Sequence, residues 1–413
     1  MQRVLLLVPA TSYRASDFLD AAQRLDVEVV VGSNHRQVLE KYSRGRTITL
    51  GFEPNEQNVS KIVAHARRYP ISAIVGADEE TILLAATASV ALGLPHNSTE
   101  SVTAAHNKHR FRRILAQAGV RSPGFKLVSP QEDIAEAAKS VTYPCVLKPL
   151  NLSASRGVIR ADNEAAFLAA FDRIAAILSG KADRANSRQA NSILVEDYIP
   201  GREVSLEGLL NGGRLNVLAL FDKPDPLDGP FFEETIYVTP SRLSDSRQQE
   251  IVAATVEAAS ALGLMDGPIH AELRINKMGT WVIELAARSI GGLCSRALSF
   301  TNGVKLEELI LRHALGLPTT NFERDERATG VMMIPIPGAG QLIAVAGLDA
   351  ARSVPGIDDV IISVHIGERL VPLPEGDRYL GFIFARADEP GEVELALRSA
   401  HKLLRFEIAC QRH

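Results

Sequence analysis

Short apolar runs and helical spacings alternate through the N-terminal part of the chain. Residues 4–8 (Val-Leu-Leu-Leu-Val), 27–31 and 71–75 are β-branched or leucine-rich, and the stretch around 17–25 carries the apolar spacing of a helix. Strands that read as continuous apolar runs between helices belong to a parallel sheet covered on both faces. The run at 4–8 is too short for a membrane helix and lacks a small-residue cleavage site, so it reads as a buried strand. The loop behind it, Pro9-Ala10-Thr11-Ser12, is not a G-x-G-x-x-G turn, which disfavours a dinucleotide site. Asp78-Glu79-Glu80 follows the third run, at the strand end where α/β sheets gather ligands. These acids could meet a substrate amino group; the preferred reading is a solvated helix N-terminus favoured by the dipole.

Gly93-Leu94-Pro95-His96-Asn97-Ser98 punctuates the end of this region. Residues 107–115 form a basic helix, read as a solvated face. Pro144-Cys145-Val146-Leu147-Lys148-Pro149 ends a strand with a lysine, and the small-residue loop Ser153-Ala154-Ser155-Arg156-Gly157-Val158 follows. Such a loop offers backbone N–H groups to phosphate oxygens, and a nearby lysine adds a point charge. Residues 178–191 read as a polar loop. The strand at 193–197 breaks at Ile199-Pro200-Gly201, and a new one opens on Arg202-Glu203; a hinge of this kind exposes backbone groups able to read an adenine edge. Further on come an aromatic and acidic stretch at 229–237, an amphipathic helix at 248–262 with Ile251, Thr255, Ala258 and Leu262 on one stripe, a helix at 305–315, and a linker at 321–327. Strands at 331–335, 360–364, 368–371 and 381–386 and a helix at 392–404 complete the pattern.

The stretch with the most chemistry is Pro268-Ile269-His270-Ala271-Glu272-Leu273-Arg274, followed by Trp281 to Gly292. Two alternating runs flank a turn at Asn276-Lys277-Met278-Gly279, which predicts a β-hairpin. Alternation places His270, Glu272 and Arg274 on one face, and Glu284, Ala286 and Arg288 likewise. A turn centred near Met278 sets Glu272 opposite Glu284 to within one residue. Opposed carboxylates repel, unless a cation such as Mg²⁺ lies between them while phosphates supply its other ligands. Arg288 would meet a further anion, and Gly291-Gly292 permits close backbone approach. An ordinary exposed hairpin with scattered charges fits the pattern alone equally well.

Composition narrows the class. The 413 residues are 46% apolar and 23% charged with net charge -4, as in a soluble enzyme of several domains, with no pull towards nucleic acid or membranes. Cys145, Cys294 and Cys410 are far apart, without metal spacing, and fit a reducing cytoplasm. Cys145, in an apolar run, reads as a packed thiol.

In order, the Lys108 helix, the Lys148 strand, the 153–157 loop, the Val195-Glu196-Asp197-Tyr198-Ile199-Pro200-Gly201 hinge with Glu203 behind it, and the two-glutamate hairpin ending in Arg288 resemble the ATP-grasp superfamily of carboxylate–amine ligases. Residues 267–274 and 283–292, and the strand-rich tail, look most like the bacterial L-amino-acid ligases that make dipeptides. The resemblance implies an α/β (α+β) ATP-grasp fold: a Rossmann-like parallel domain at 1–100, two ATP-grasp lobes at 101–194 and 195–320, and a small α+β domain at 321–413. It also implies ATP with Mg²⁺, or Mn²⁺ in its place, as cofactors. Lys108 and Lys148 would contact phosphates, with Ser155, Arg156 and Gly157 in the phosphate loop. Glu196, Asp197, Tyr198 and Ile199 would flank adenine, and Glu203 would take the ribose hydroxyls. Glu272 and Glu284 would hold the metals, Arg288 and Lys148 would act in catalysis, and Glu234, Tyr237, Arg288, Gly291 and Gly292 would meet the substrates. Small-molecule acids and amines, joined through an acyl phosphate with release of ADP and phosphate, are the implied partners, and a cytoplasmic homodimer the implied state. Two positions depart from the family pattern: Ala286 stands where asparagine is common, and Tyr237 where the amino-acid ligases often have histidine. A ligase or carboxylase for a non-amino-acid acid, as in purine synthesis, and an inactive ATP-binding regulator are the alternative readings.

Overall fold

The computed structural model of the chain describes residues 2–35, 45–180 and 192–409. Its first sheet is parallel, in the order β3-β2-β1-β4, from β1 (Arg3–Leu7), β2 (Glu28–Ser33), β3 (Thr47–Thr49) and β4 (Ala73–Gly76). Alternate residues of the first run enter two cores. Val4, Leu6 and Val8 pack with Phe18 and Ala21 of helix Ala15–Arg24, whereas Leu5 and Leu7 pack with Ile62 of helix Glu56–Arg68. Burial on both faces is why the run reads as continuous. β4 ends at Gly76 and delivers Asp78, Glu79 and Glu80 to the carboxyl edge of the sheet.

A small antiparallel sheet follows, ordered β5-β8-β6-β7, from β5 (Phe125–Val128), β6 (Cys145–Pro149), β7 (Ile159–Ala161) and β8 (Ile193–Asp197). Helix Glu164–Ser179 covers it with Phe167, Ala170, Phe171 and Ile174. Of the polar loop expected at 178–191, residues 178 and 179 end this helix and 181–191 lie outside the described residues, as does Cys410. Every residue of β6 is buried, Lys148 included. Burial pushes the Cys145 thiol up to about 12, in keeping with a packed, unreactive cysteine.

The remaining strands are β9 (Arg202–Asn211), β10 (Arg214–Asp222), β11 (Ile236–Thr239), β12 (Gly267–Asn276), β13 (Gly279–Ala286), β14 (Ala328–Ile334), β15 (Gly340–Ala346), β16 (Ile357–Ile362), β17 (Arg369–Leu370), β18 (Gly381–Ala387) and β19 (Arg405–Ala409). Eight of them form one antiparallel sheet, β13-β12-β9-β10-β11-β14-β18-β16, and three form another, β17-β15-β19. Strands from 195–320 and from 321–413 thus share a sheet.

Period-2 alternation divides the large sheet. On one face Val204, Leu206 and Leu210 of β9, Ile269, Ala271 and Leu273 of β12, and Val282 and Leu285 of β13 meet Ile251, Ala258 and Leu262 of helix Asp245–Leu262. On the other face lie Glu203, Ser205 and Glu207 of β9, paired across the ladder with Arg274, Glu272 and His270 of β12. The apolar face fixes the register, and a one-residue slip would exchange the faces.

The basic helix, Lys108–Gln117, keeps Arg110 and Arg113 on the exposed face expected from its composition but buries Arg112 on the other side. Arg112 is 1% exposed and bonds Glu196 of the small sheet (Nε–Oε1 2.7 Å) and the carbonyls of Val282 (3.2 Å) and Ile283 (2.6 Å) of the large one. Arg112 therefore joins the two lobes, while Arg110 and Arg113 of the same helix face water.

The parallel domain is tied to the large sheet's side by Arg14, which is buried and pairs with Glu307 at 3.0 Å near the start of helix Leu306–Ala314. Removing one partner of a buried pair strands the other charge and costs about 3–5 kcal/mol, whereas replacing both is near neutral. Arg14→Met alone should lower the urea midpoint clearly, and Arg14→Met with Glu307→Leu should recover most of that loss. Equal midpoints for the single and double variants would show that the pair does not act as a unit.

Candidate active site

The polar face of the large sheet, the edge of the small sheet and the carboxyl end of β4 enclose a cleft of about 690 Å³. Among the residues expected at a site, all but Gly157 line it.

The hairpin sets the centre. A two-residue turn pairs Asn276 with Gly279, and that register continues to Leu273 opposite Val282. Continued without a break it would oppose Glu272 to Ile283. A bulge there adds one residue to β13 and brings Glu284 opposite Glu272, the kind of local kink that re-aims a side chain beside a site. Burial opposes the charge on Glu272, but Lys223 and His270 outweigh it and hold its carboxyl well below the usual range. Glu284, partly exposed, has the Lys108 ammonium 3.7 Å away.

Lys223, just beyond β10, was not anticipated from sequence. Its buried ammonium lies 2.9 Å from Glu203, in contact with Glu234, 3.7 Å from Glu272, and 5.1 Å from the Tyr237 ring centre. Burial works against its charge, and the three carboxylates override burial and raise its pKa. Glu203, Glu234 and Glu272 bring ligand oxygens within 4.8 Å of one another. Lys223 occupies the middle of that cluster, whereas Glu272 and Glu284 face each other across the hairpin at the cleft, which is where a metal would be held. Their carboxylate oxygens are the hard donors that Mg²⁺ prefers, and the set fits that ion. Burial and the neighbouring Glu272 raise the Glu234 carboxyl.

Lys148 and Lys108 converge from the small sheet and the connecting helix. Lys148 Nζ pairs with Glu196 Oε2 at 2.8 Å, and Arg112 takes Oε1. Burial disfavours the Glu196 carboxylate, yet these two cations prevail and hold its pKa at about 2. Glu196, expected beside adenine, thus directs its carboxylate to Lys148. Lys108 Nζ donates to the Leu152 carbonyl at 2.8 Å, at the root of the small-residue loop. Ala154 (φ 55°) and Ser155 (φ 53°) both have left-handed backbone, unusual for side chains with a Cβ and a sign of local strain near functional loops. Gly157 (φ 71°) lies outside the cleft lining, its N–H bonded to the Pro374 carbonyl at 2.9 Å. Arg156 has Asp377 at 3.6 Å.

At the hinge, the Asp197 and Tyr198 N–H groups are taken by the Gly124 (2.9 Å) and Pro144 (3.2 Å) carbonyls, and the Ile199 carbonyl by Arg274 (2.8 Å). Less of its backbone is open to a base than the sequence suggested. Tyr198 offers its ring instead, with Arg160 and Arg274 at 4.2 and 5.3 Å from its centre and its hydroxyl on Asp228. Glu203 has Lys223 on one oxygen and Arg274 on the other at 2.8 Å.

Of the acids after β4, Asp78 stands at the N-cap of helix Glu79–Thr81 and Glu80 is exposed, as expected of a helix N-terminus, whereas Glu79 turns into the cleft. Glu79 bonds Arg288 Nε at 2.5 Å and His106 Nδ1 at 2.8 Å across the cleft. Burial is outweighed by Arg288 and His106, and the Glu79 carboxyl lies well below its usual range. Gly291 and Gly292 follow Arg288 at the lining, and a Cβ on Gly292 would reach 3.2 Å from the Phe382 ring. Glu207, which was not anticipated, and His270, which alternation had placed on the Glu272 face without a role, continue the polar row below Glu272. Glu207 Oε2 accepts from His270 Nδ1 (3.1 Å) and from the Ile290 N–H (3.0 Å). Burial would lower the His270 pKa, but Glu207 and Glu272 raise it to about 9. The signal for Glu207 was present in sequence: the alternation that turns Glu203 to the cleft turns Glu207 there too.

Comparison with known proteins supplies the family context. Residues 19–96 match the ATP-grasp N-terminal domain, 141–297 the ATP-grasp domain, and 332–409 the L-amino acid ligase C-terminal domain 2. An L-amino acid ligase from Bacillus licheniformis superposes with a TM-score of 0.84 at 26% identity over 99% of each chain. Alanine–anticapsin ligase of Bacillus subtilis is 29% identical over 70% of this chain and 64% of its own length, so the match spans just under two thirds of that relative. Dapdiamide A synthase of Enterobacter agglomerans is 27% identical over 70% of this chain and 69% of its own.

The Glu196 pairing has a pH signature. A carboxyl whose folded pKa is depressed from 4.5 to about 2 adds stability that is complete above 4.5 and is lost as pH falls towards 2. The urea midpoint of Glu196→Gln should lie below that of the unmodified chain at pH 6, with the gap narrowing steadily by pH 3. A gap that stays constant over that range would rule out the ion-pair account.

Proposed function

Since the chain belongs to the ATP-grasp family, we propose that it is an ATP-dependent ligase joining the carboxylate of one amino-acid-like substrate to the amine of another. The observation that carries this reading is the opposition of Glu272 and Glu284 beside Arg288, with Lys148 and Lys108 converging on the same cleft. The whole-chain similarity to an L-amino acid ligase supports the substrate class.

In this reading the triphosphate lies between Lys148, Lys108 and the 153–157 loop, and the base beside Tyr198. Glu272 and Glu284 would hold Mg²⁺, which when bound offsets negative charge on the phosphates. The substrate carboxylate oxygen attacks the γ-phosphorus, its bond to ADP breaks, and an acyl phosphate forms. The amine nitrogen then attacks the acyl carbon, phosphate leaves with the bridging oxygen, and the nitrogen loses a proton. Arg288, steadied by Glu79, meets the carboxylate and then the acyl phosphate, and the Gly291-Gly292 backbone approaches the reacting carbon. The protein's contribution is positioning and charge balance rather than a covalent adduct. The strained 153–157 loop, braced on Pro374, shields the labile intermediate from water.

Phosphate release from MgATP across a matrix of amino-acid pairs, with mass spectrometry of positive mixtures, tests the reaction. Release should require both an acid and an amine and yield the mass of their amide. Release with the acid alone, or an unchanged product mass, would contradict ligation. Glu284→Gln should cut kcat by at least about a hundredfold, in line with loss of a principal electrostatic group. Arg288→Ala should raise the KM of the acid or lower kcat, and wild-type rates in either variant would remove that residue from the mechanism.

A further inference from the structure

Two buried polar atoms without a protein partner lie on the cleft face of β9: Ser205 Oγ and Glu207 Oε1. Both residues are fully buried, Ser205 opposite Glu272 and Glu207 opposite His270. An incompletely satisfied carboxylate in such a place costs stability, so its retention calls for a function. The two bonds that Glu207 does make lead in different directions. One goes to His270 Nδ1, whose ring presents Nε2 to Glu272 Oε1 at 3.6 Å. The other goes to the Ile290 N–H, one residue before Gly291-Gly292.

We propose that Glu207 is a positioning residue that links the two halves of the active site: through His270 it orients the Glu272 carboxylate towards the metal, and through Ile290 it fixes the backbone of the substrate-facing glycine loop. The proposal rests on the ligase reading for the metal and goes beyond it in assigning Glu207 and His270. Strand geometry supports it. Glu207, His270 and Glu272 occupy adjoining positions of two paired strands, so their separations are set by the ladder and not by flexible loops. Neither Glu207 nor His270 need touch a substrate. Groups that orient a metal-binding carboxylate typically affect metal affinity by 10–100-fold.

Three variants separate the two arms. Glu207→Met keeps the side-chain length and removes both acceptor bonds. His270→Gln breaks the path to Glu272 and leaves the Ile290 bond. Glu207→Gln keeps an oxygen that can accept both. Mn²⁺ is titrated, by electron paramagnetic resonance, into full-length protein saturated with the non-hydrolysable analogue adenylyl imidodiphosphate. Amide hydrogen exchange is followed in the peptide containing Ile290, with the melting temperature as the control for global unfolding. Glu207→Met should weaken Mn²⁺ binding about tenfold or more and speed Ile290 exchange about tenfold. His270→Gln should weaken Mn²⁺ binding and leave Ile290 exchange unchanged. Glu207→Gln should stay within about threefold of the unmodified protein in both, as geometry rather than chain length alone is restored. Wild-type Mn²⁺ affinity in folded Glu207→Met, or faster Ile290 exchange in His270→Gln, would overturn the linkage while leaving the ligase reading intact. Should Glu207→Met not fold, wild-type Mn²⁺ affinity in His270→Gln overturns it equally. Failure of the unmodified protein to bind Mn²⁺ with the analogue would instead defeat the ligase reading, and this inference with it.

Discussion

Crowded negative charge on one face of an antiparallel sheet is the constraint on which this structure depends. Glu203, Glu207, Glu272 and Glu284 project from three neighbouring strands, and Glu234 joins them from the next segment. Such carboxylates cannot stay ionised in a partly buried cleft without cations close by. The chain supplies Lys223 from just beyond the end of β10 into the Glu203–Glu234–Glu272 cluster, and from β12 itself Arg274 onto Glu203 and His270 between Glu207 and Glu272. The opposite face of the same strands is apolar and packed on helix Asp245–Leu262. Hydrophobic burial therefore sets the register, and the register delivers the charges.

The same logic holds across the cleft. Arg112, Arg288 and Lys148 are each matched to an acid from another part of the chain: Glu196, Glu79 and again Glu196. Compared with apolar replacement of both partners such pairs add little stability, because desolvation offsets most of the attraction, although breaking one alone is costly. Their effect is geometric. They hold cationic groups at fixed points around the cleft of about 690 Å³, so that negative charge placed there meets preorganised partners.

How much was legible in the sequence follows from which residues act through local pattern. The parallel sheet, the hairpin and the helix Asp245–Leu262 rest on periodicity, and the described elements lie within a few residues of the expected positions. The Glu272–Glu284 opposition was readable from the turn only to within one residue, and a bulge at Ile283 decides it. β15 and β19 were not expected; β15 mixes apolar and small residues without clear alternation, and β19 is five residues long with two charged side chains. Lys223 and Arg112 carry no local signal of burial, because their partners are distant in sequence. Glu79 looked like a helix cap for the same reason: Arg288 is 209 residues away.

The central claim is that this cleft activates a carboxylate by phosphorylation before an amine attacks it. The most direct measurement uses an acid substrate labelled with ¹⁸O in its carboxylate, turned over with unlabelled ATP and amine. Mass analysis of the phosphate released should find one ¹⁸O atom per phosphate at the first turnover, since the oxygen that attacked phosphorus leaves with it. Phosphate free of label, alongside amide product, would contradict the account and require a different route to the bond.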